Sequence, residues 1–83
     1  MEDTKKIDTY INEMNNYDPD LQEMGAKYLS ELVQNGKVNL KADPNLARKI
    51  TENFLKQVGS TNFVVHSSAI RELADMVPYI PKD

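Results

Sequence analysis

The chain contains no cysteine and no tryptophan, and its 83 residues include a single histidine. Without thiols, neither a disulfide framework nor a thiolate zinc site can form. Packing alone must therefore hold a core that is thin at this length. The lone imidazole, His66, leaves no His-containing metal spacing and no second base near neutral pKa. It stands where a buried aliphatic residue is followed by a polar one, as Gln22 does earlier in the chain, and reads as a surface or helix-start histidine. No Gly-rich phosphate loop is present. No apolar run approaches the roughly 20 residues that span a bilayer, and the start, MEDTKKIDTY, lacks the apolar segment of a secretory signal. These absences predict an intracellular protein, cytoplasmic or nuclear, that is not an enzyme and has no cofactor, metal or membrane. No residue is assigned as catalytic, cofactor-binding or metal-ligating.

Excess charge of one sign is also lacking. Thirteen acidic against ten basic side chains give −3, and the basic ones are scattered along the chain. Phosphate backbones are usually met by basic groups clustered on one face, so nucleic acid is not expected as the main partner. What is present, 40% hydrophobic and 28% charged residues with few Gly and Pro, is the composition of an ordinary globular chain.

The apolar spacing predicts four helices, over about 4–16, 19–35, 44–58 and 61–77. In the first, Ile7, Tyr10, Ile11 and Met14 share one face, with Asp3 or Thr4 as cap. Asp18-Pro19 and Asp43-Pro44 each supply a capping carboxylate and then a residue whose missing N–H costs nothing at the first helical position. The second helix should turn Leu21, Met24, Gly25, Tyr28, Leu29 and Leu32 inward. Gly25, in line with leucines, predicts close approach of the first helix. Asn35-Gly36 ends this helix. The connector KVNLKA reads as an ordered loop whose Val38 and Leu40 tuck under the helices. The third helix should bury Leu46, Ala47, Ile50, Phe54, Leu55 and Val58, leaving Arg48, Glu52 and Lys56 solvated. The fourth, capped by Ser60, Thr61 or Asn62, carries an inner stripe, Val65, Ala69, Leu73 and Met76. A second stripe lies to one side: Phe63, Ile70 and Val77.

Asp18 to Val33 recurs as Asn62 to Val77, with Leu21 over Val65, Gly25 over Ala69, Lys27 over Arg71, Leu29 over Leu73 and Val33 over Val77. The period of about 44 residues lies in the roughly 40 to 47 of HEAT and armadillo units, helix pairs that stack because one pair cannot bury its apolar face alone. The predicted architecture is all-α: two HEAT-like antiparallel helix pairs in a short right-handed solenoid, forming one domain over 1–83. Repeat one covers 4–36, the connector 37–43, repeat two 44–77 and the tail 78–83. On adjacent second helices the period sets Glu23 beside Ser67, Lys27 beside Arg71 and Glu31 beside Asp75, an electrostatic strip that could orient a protein partner. The same residues at i, i+4 could instead only support an exposed helix. The side stripe Phe63, Ile70 and Val77 has no use within two repeats and lacks a polar cap. It predicts either self-association or further repeats at this end.

The segments IDTYINEM, DPDLQEMGAKYLSEL, KVNLKAD, RKITENFLKQV and NFVVHSSAIRELADMV, in this order and spacing, resemble the N-terminus of the cullin-associated, neddylation-dissociated proteins, also called TATA-binding-protein-interacting proteins. The similarity runs from Ile7 to Val77. It implies a HEAT-repeat piece of a factor that wraps unmodified cullin–RING scaffolds and promotes exchange of substrate receptors on the SCF type of ubiquitin ligase. It also implies cullin–RING subunits as partners. No short motif of the family marks contact residues, and the family's clamp uses many more than two repeats. The alternatives are a generic HEAT or armadillo scaffold or transport-type module with another protein partner, and a helical nucleic-acid-binding domain.

Overall fold

Two Asp-Pro steps set the frame. In the computed structural model, which describes residues 2–81 and the side chains of 5–81, the Asp18 carboxylate accepts from the Asp20 N–H at 2.9 Å and the Asp43 carboxylate from the Leu46 N–H at 3.1 Å. Pro19 and Pro44 occupy the first turns that follow. The helices are α1 (Glu2–Met14), α2 (Pro19–Gln34), α3 (Pro44–Val58) and α4 (Phe63–Met76), and the described residues contain no strand. Helix α1 starts earlier than predicted, so neither Asp3 nor Thr4 stands at its head. It also stops two residues sooner. Asn15 folds its side chain back onto the Ile11 carbonyl at 2.8 Å, and Asn16 accepts from the Asp18 N–H at 2.9 Å, which makes 15–18 the turn. Of the three caps considered for α4 it is Asn62 that serves, accepting from the N–H groups of Val64 and Val65.

Helix α2 closes with paired backbone bonds, Lys37 N–H to Leu32 O at 3.0 Å and Gly36 N–H to Val33 O at 3.2 Å, around Gly36 at φ 74°. Only glycine takes that left-handed conformation without penalty. The connector then forms a 3-10 turn over Leu40–Ala42, and Leu40 is buried beneath the helices. After α4 a second 3-10 turn, Val77–Tyr79, brings Ile80 back against the core.

The short turns 15–18 and 59–62 fold the chain into two hairpins, α1–α2 and α3–α4, with α2 packed both on α1 and on α4. The radius of gyration, 11.7 Å, matches the roughly 12 Å of a compact domain of this length, so the hairpins pack against each other. The core of Ile7, Ile11, Met14, Ala26, Leu29, Val33, Ile50, Phe54, Ala69 and Met76 lies between them. Each large side chain buried there contributes roughly 1.5–3 kcal/mol.

This placement corrects several predicted inward residues. Leu55 is 54% exposed, whereas Ile11, its counterpart in the repeat, is 7% exposed. Helix α1 buries Ile7, Ile11 and Met14 and α3 buries Ala47, Ile50, Phe54 and Gln57, so positions equivalent under the offset do not share one environment. Met24 and Tyr28 are likewise exposed, at 42% and 38%. The buried arc of α2 is instead Gly25, Ala26, Leu29, Ser30 and Val33, rotated toward α4. Gln57 is a further buried residue outside the apolar pattern. Its amide donates to the carbonyls of Gln22 (3.0 Å) and Met14 (3.3 Å), tying α3 to both helices of the first hairpin.

A Cβ built on Gly25 would sit 2.6 Å from the Tyr10 carbonyl oxygen and 3.0 Å from the Met14 nitrogen, so the backbones of α1 and α2 touch here. Gly25→Ala should therefore lower the melting temperature. Overpacking costs roughly 1–3 kcal/mol and outweighs a helix-propensity gain of at most about 1 kcal/mol. Each net kcal/mol is about 4–8 °C at this size. Gly59→Ala, whose Cβ would meet nothing closer than 3.5 Å, should leave melting unchanged or slightly raised. Equal melting curves for the wild type and Gly25→Ala would contradict the close approach.

Candidate functional site

Helices α2 and α4 lie side by side, and residues of two predicted pairs, Glu23 with Ser67 and Lys27 with Arg71, line shared recesses between them. Glu23, Ser67 and Arg71 line one surface recess, whose margin also includes Phe63 and Val64. Lys27 and Arg71 flank a second, of about 260 Å³, bounded by Glu23, Met24 and Tyr28. Glu31 and Asp75 lie close enough to Glu72 for both to act on its carboxyl. Lys27, Glu31, Ser67, Arg71 and Asp75 are exposed, and Glu23 is half-buried.

The ion pairs among the described residues are Lys49–Asp8, 3.6 Å apart on the surface, and Arg71–Glu72 at 4.0 Å. Lys27 takes part in neither, so the i, i+4 pairs with Glu23 and Glu31 are not formed. Tyr28 leans on Tyr10, ring centroids 5.7 Å apart, which fixes an aromatic edge beside the Lys27–Arg71 pair. The result is a mixed-charge strip with an apolar border.

The sequence pattern missed the polar seam between α2 and α4. Ser30 is fully buried, its hydroxyl receives the Gln34 amide at 2.7 Å, and it sits 3.4 Å from the Glu72 backbone oxygen. Glu72 itself is 8% exposed. Burial pushes its carboxyl above the ordinary carboxylate range; the Arg71 guanidinium and the Ser30 hydroxyl oppose that, while Asp75 and Glu31 add to it. The available signal was position. Glu72 follows Ser68 by four and Ala69 by three, on the arc that faces α2.

His66 lies at the start of α4, where its Nδ1 donates to the Val58 carbonyl at 2.5 Å and ties α4 to the end of α3. Among the described residues no group of three His, Asp or Glu side chains could hold a metal ion, and no helix is long and apolar enough to cross a membrane. The side stripe stands open. Phe63, Ile70 and Val77 are 79%, 46% and 59% exposed, whereas Ala26 and Val33, the counterparts of Ile70 and Val77, are buried against the second hairpin. Comparison of the chain with protein-family models, curated proteins and solved structures finds no match.

Because Glu72 binds its proton more tightly when folded than when unfolded, its contribution to stability is highest at low pH. That contribution is lost as pH rises from the ordinary carboxylate value, 4.5, through the raised one. Glu72→Gln removes this cost while keeping the shape. It should melt above the wild type at pH 7, with the difference shrinking as pH falls toward about 4. A variant that melts lower at pH 7, with a gap independent of pH, would contradict the account.

Proposed function

We propose that this chain is a non-catalytic protein-binding module of two stacked HEAT-like helix pairs, with the α2–α4 strip as its binding face. The observation that carries this reading is the Lys27–Arg71 pair. Lys27 and Arg71, exposed on different helices, line one recess with Met24 and Tyr28, and Lys27 is engaged in no ion pair among the described residues. Arg, Tyr and Met are enriched where protein interfaces concentrate their energy, and charges of both signs around such a centre set orientation.

The resemblance of Ile7 to Val77 to cullin-associated, neddylation-dissociated proteins supplies the partner class. On that reading the module is part of a cullin–RING ubiquitin ligase assembly factor, and its strip faces the cullin–RING pair. Mixed charge on the strip and the net charge of −3 favour protein over nucleic acid.

The test is a pull-down of an unmodified cullin–RING pair by the wild-type chain and by a Lys27→Glu/Arg71→Glu double variant. The wild type should retain the pair, and charge reversal should weaken retention at least tenfold, about 1.4 kcal/mol. Retention unaffected by the reversal would remove the strip from the interface. No retention by the wild type would overturn the strip as a cullin–RING binding face sufficient by itself.

A further inference from the structure

We infer that the two ends of this chain are complementary, and that it binds a second copy of itself head to tail, α4 of one copy against α2 of the next. This rests on reading the chain as stacking helix pairs. The contact has already been built once inside the molecule. There, Ala26, Ser30 and Val33 on α2 are buried, and the residues of α4 that meet α2 include Ser68 and Glu72.

Moved forward by the sequence period, Ala26, Ser30 and Val33 become Ile70, Ala74 and Val77 on α4, all exposed. Moved back, Ser68 and Glu72 become Met24 and Tyr28 on α2, also exposed. Each half of the interface is therefore present a second time and uncovered, with Ile70, Ala74 and Val77 on α4 and with Met24 and Tyr28 on α2 at the margin of the α2–α4 recess. The helices run side by side, with Glu23 and Ser67 lining one recess, Lys27 and Arg71 another, and the Ser30 hydroxyl 3.4 Å from the Glu72 carbonyl oxygen.

Both uncovered halves are more apolar than the pair already joined. Ile70 and Ala74 stand in place of Ala26 and Ser30, and Met24 and Tyr28 in place of Ser68 and Glu72. Leu55 on α3 extends the forward face, as Ile11 on α1 does in the internal contact. A second copy thus meets no buried carboxylate at the junction, and it leaves its own forward face free. Such a contact is heterologous and continues to add copies.

Sedimentation velocity of the purified chain over a range up to about 1 mM, the weak end of specific association, tests this with two variants at exposed positions, Met24→Glu and Ile70→Glu. The wild-type mass should climb with concentration beyond twice 9.5 kDa. Each variant alone should remain a monomer, because one of its two faces is blocked. Their equimolar mixture should form a heterodimer and stop there, since each partner offers the face the other lacks. A wild type that is monomeric throughout would overturn the inference. So would a mixture that stays monomeric, or loss of assembly in Ile70→Glu with Met24→Glu assembling normally, which marks a two-fold α4–α4 contact. No cullin is present in this measurement, so its failure would leave the pull-down result standing.

Discussion

The second helix has to satisfy two neighbours at once, and the rest of the molecule follows from how it does so. Toward α1 it presents Gly25, where only a hydrogen fits beneath the Tyr10 carbonyl. Toward α4 it presents Ala26, Ser30 and Val33, small enough to admit another helix. Leu29 lies between these two arcs and is fully buried. With no cysteine to form a disulfide, this double contact joins the two hairpins into one packed body.

Bringing α2 and α4 together has an electrostatic consequence. The seam buries Glu72, whose desolvation is only partly offset by Arg71 and Ser30, and beside the seam Lys27 and Arg71 line one recess. Stability is given up inside the contact while a charged strip is assembled outside it. A buried charge that raises its own pKa and an exposed pair of like cations are both features that packing alone would not favour. On the proposed reading, recognition of a protein partner would give the strip a use.

Much of this was legible in the residues. The four helices, the capping aspartates, the turn at Gly36 and the close approach at Gly25 follow from local rules that tertiary packing did not override. Met24, Tyr28 and Leu55 were misplaced because a repeat pattern treats equivalent positions as equivalent environments. Here only one boundary between helix pairs exists, so Ile11 is covered and Leu55 is not. Ser30, Gln57 and Glu72 were missed because polar residues carry no apolar period. Their burial depends on which helix lies opposite, a fact of the fold and not of the pattern. The open stripe Phe63, Ile70 and Val77 was legible as a second apolar line on the fourth helix, and all three residues are exposed.

The central claim is that one helix face is covered in the first copy and open in the second. Since the native chain has no cysteine, Ser30→Cys and Ala74→Cys place a unique thiol at equivalent positions of α2 and α4. Alkylation rates in dilute native protein read their exposure directly. The account predicts that the thiol at 74 reacts at close to the rate of an unfolded control, and that the thiol at 30 is slowed by orders of magnitude, limited by opening of the α2–α4 contact. Equal rates at the two positions would contradict it.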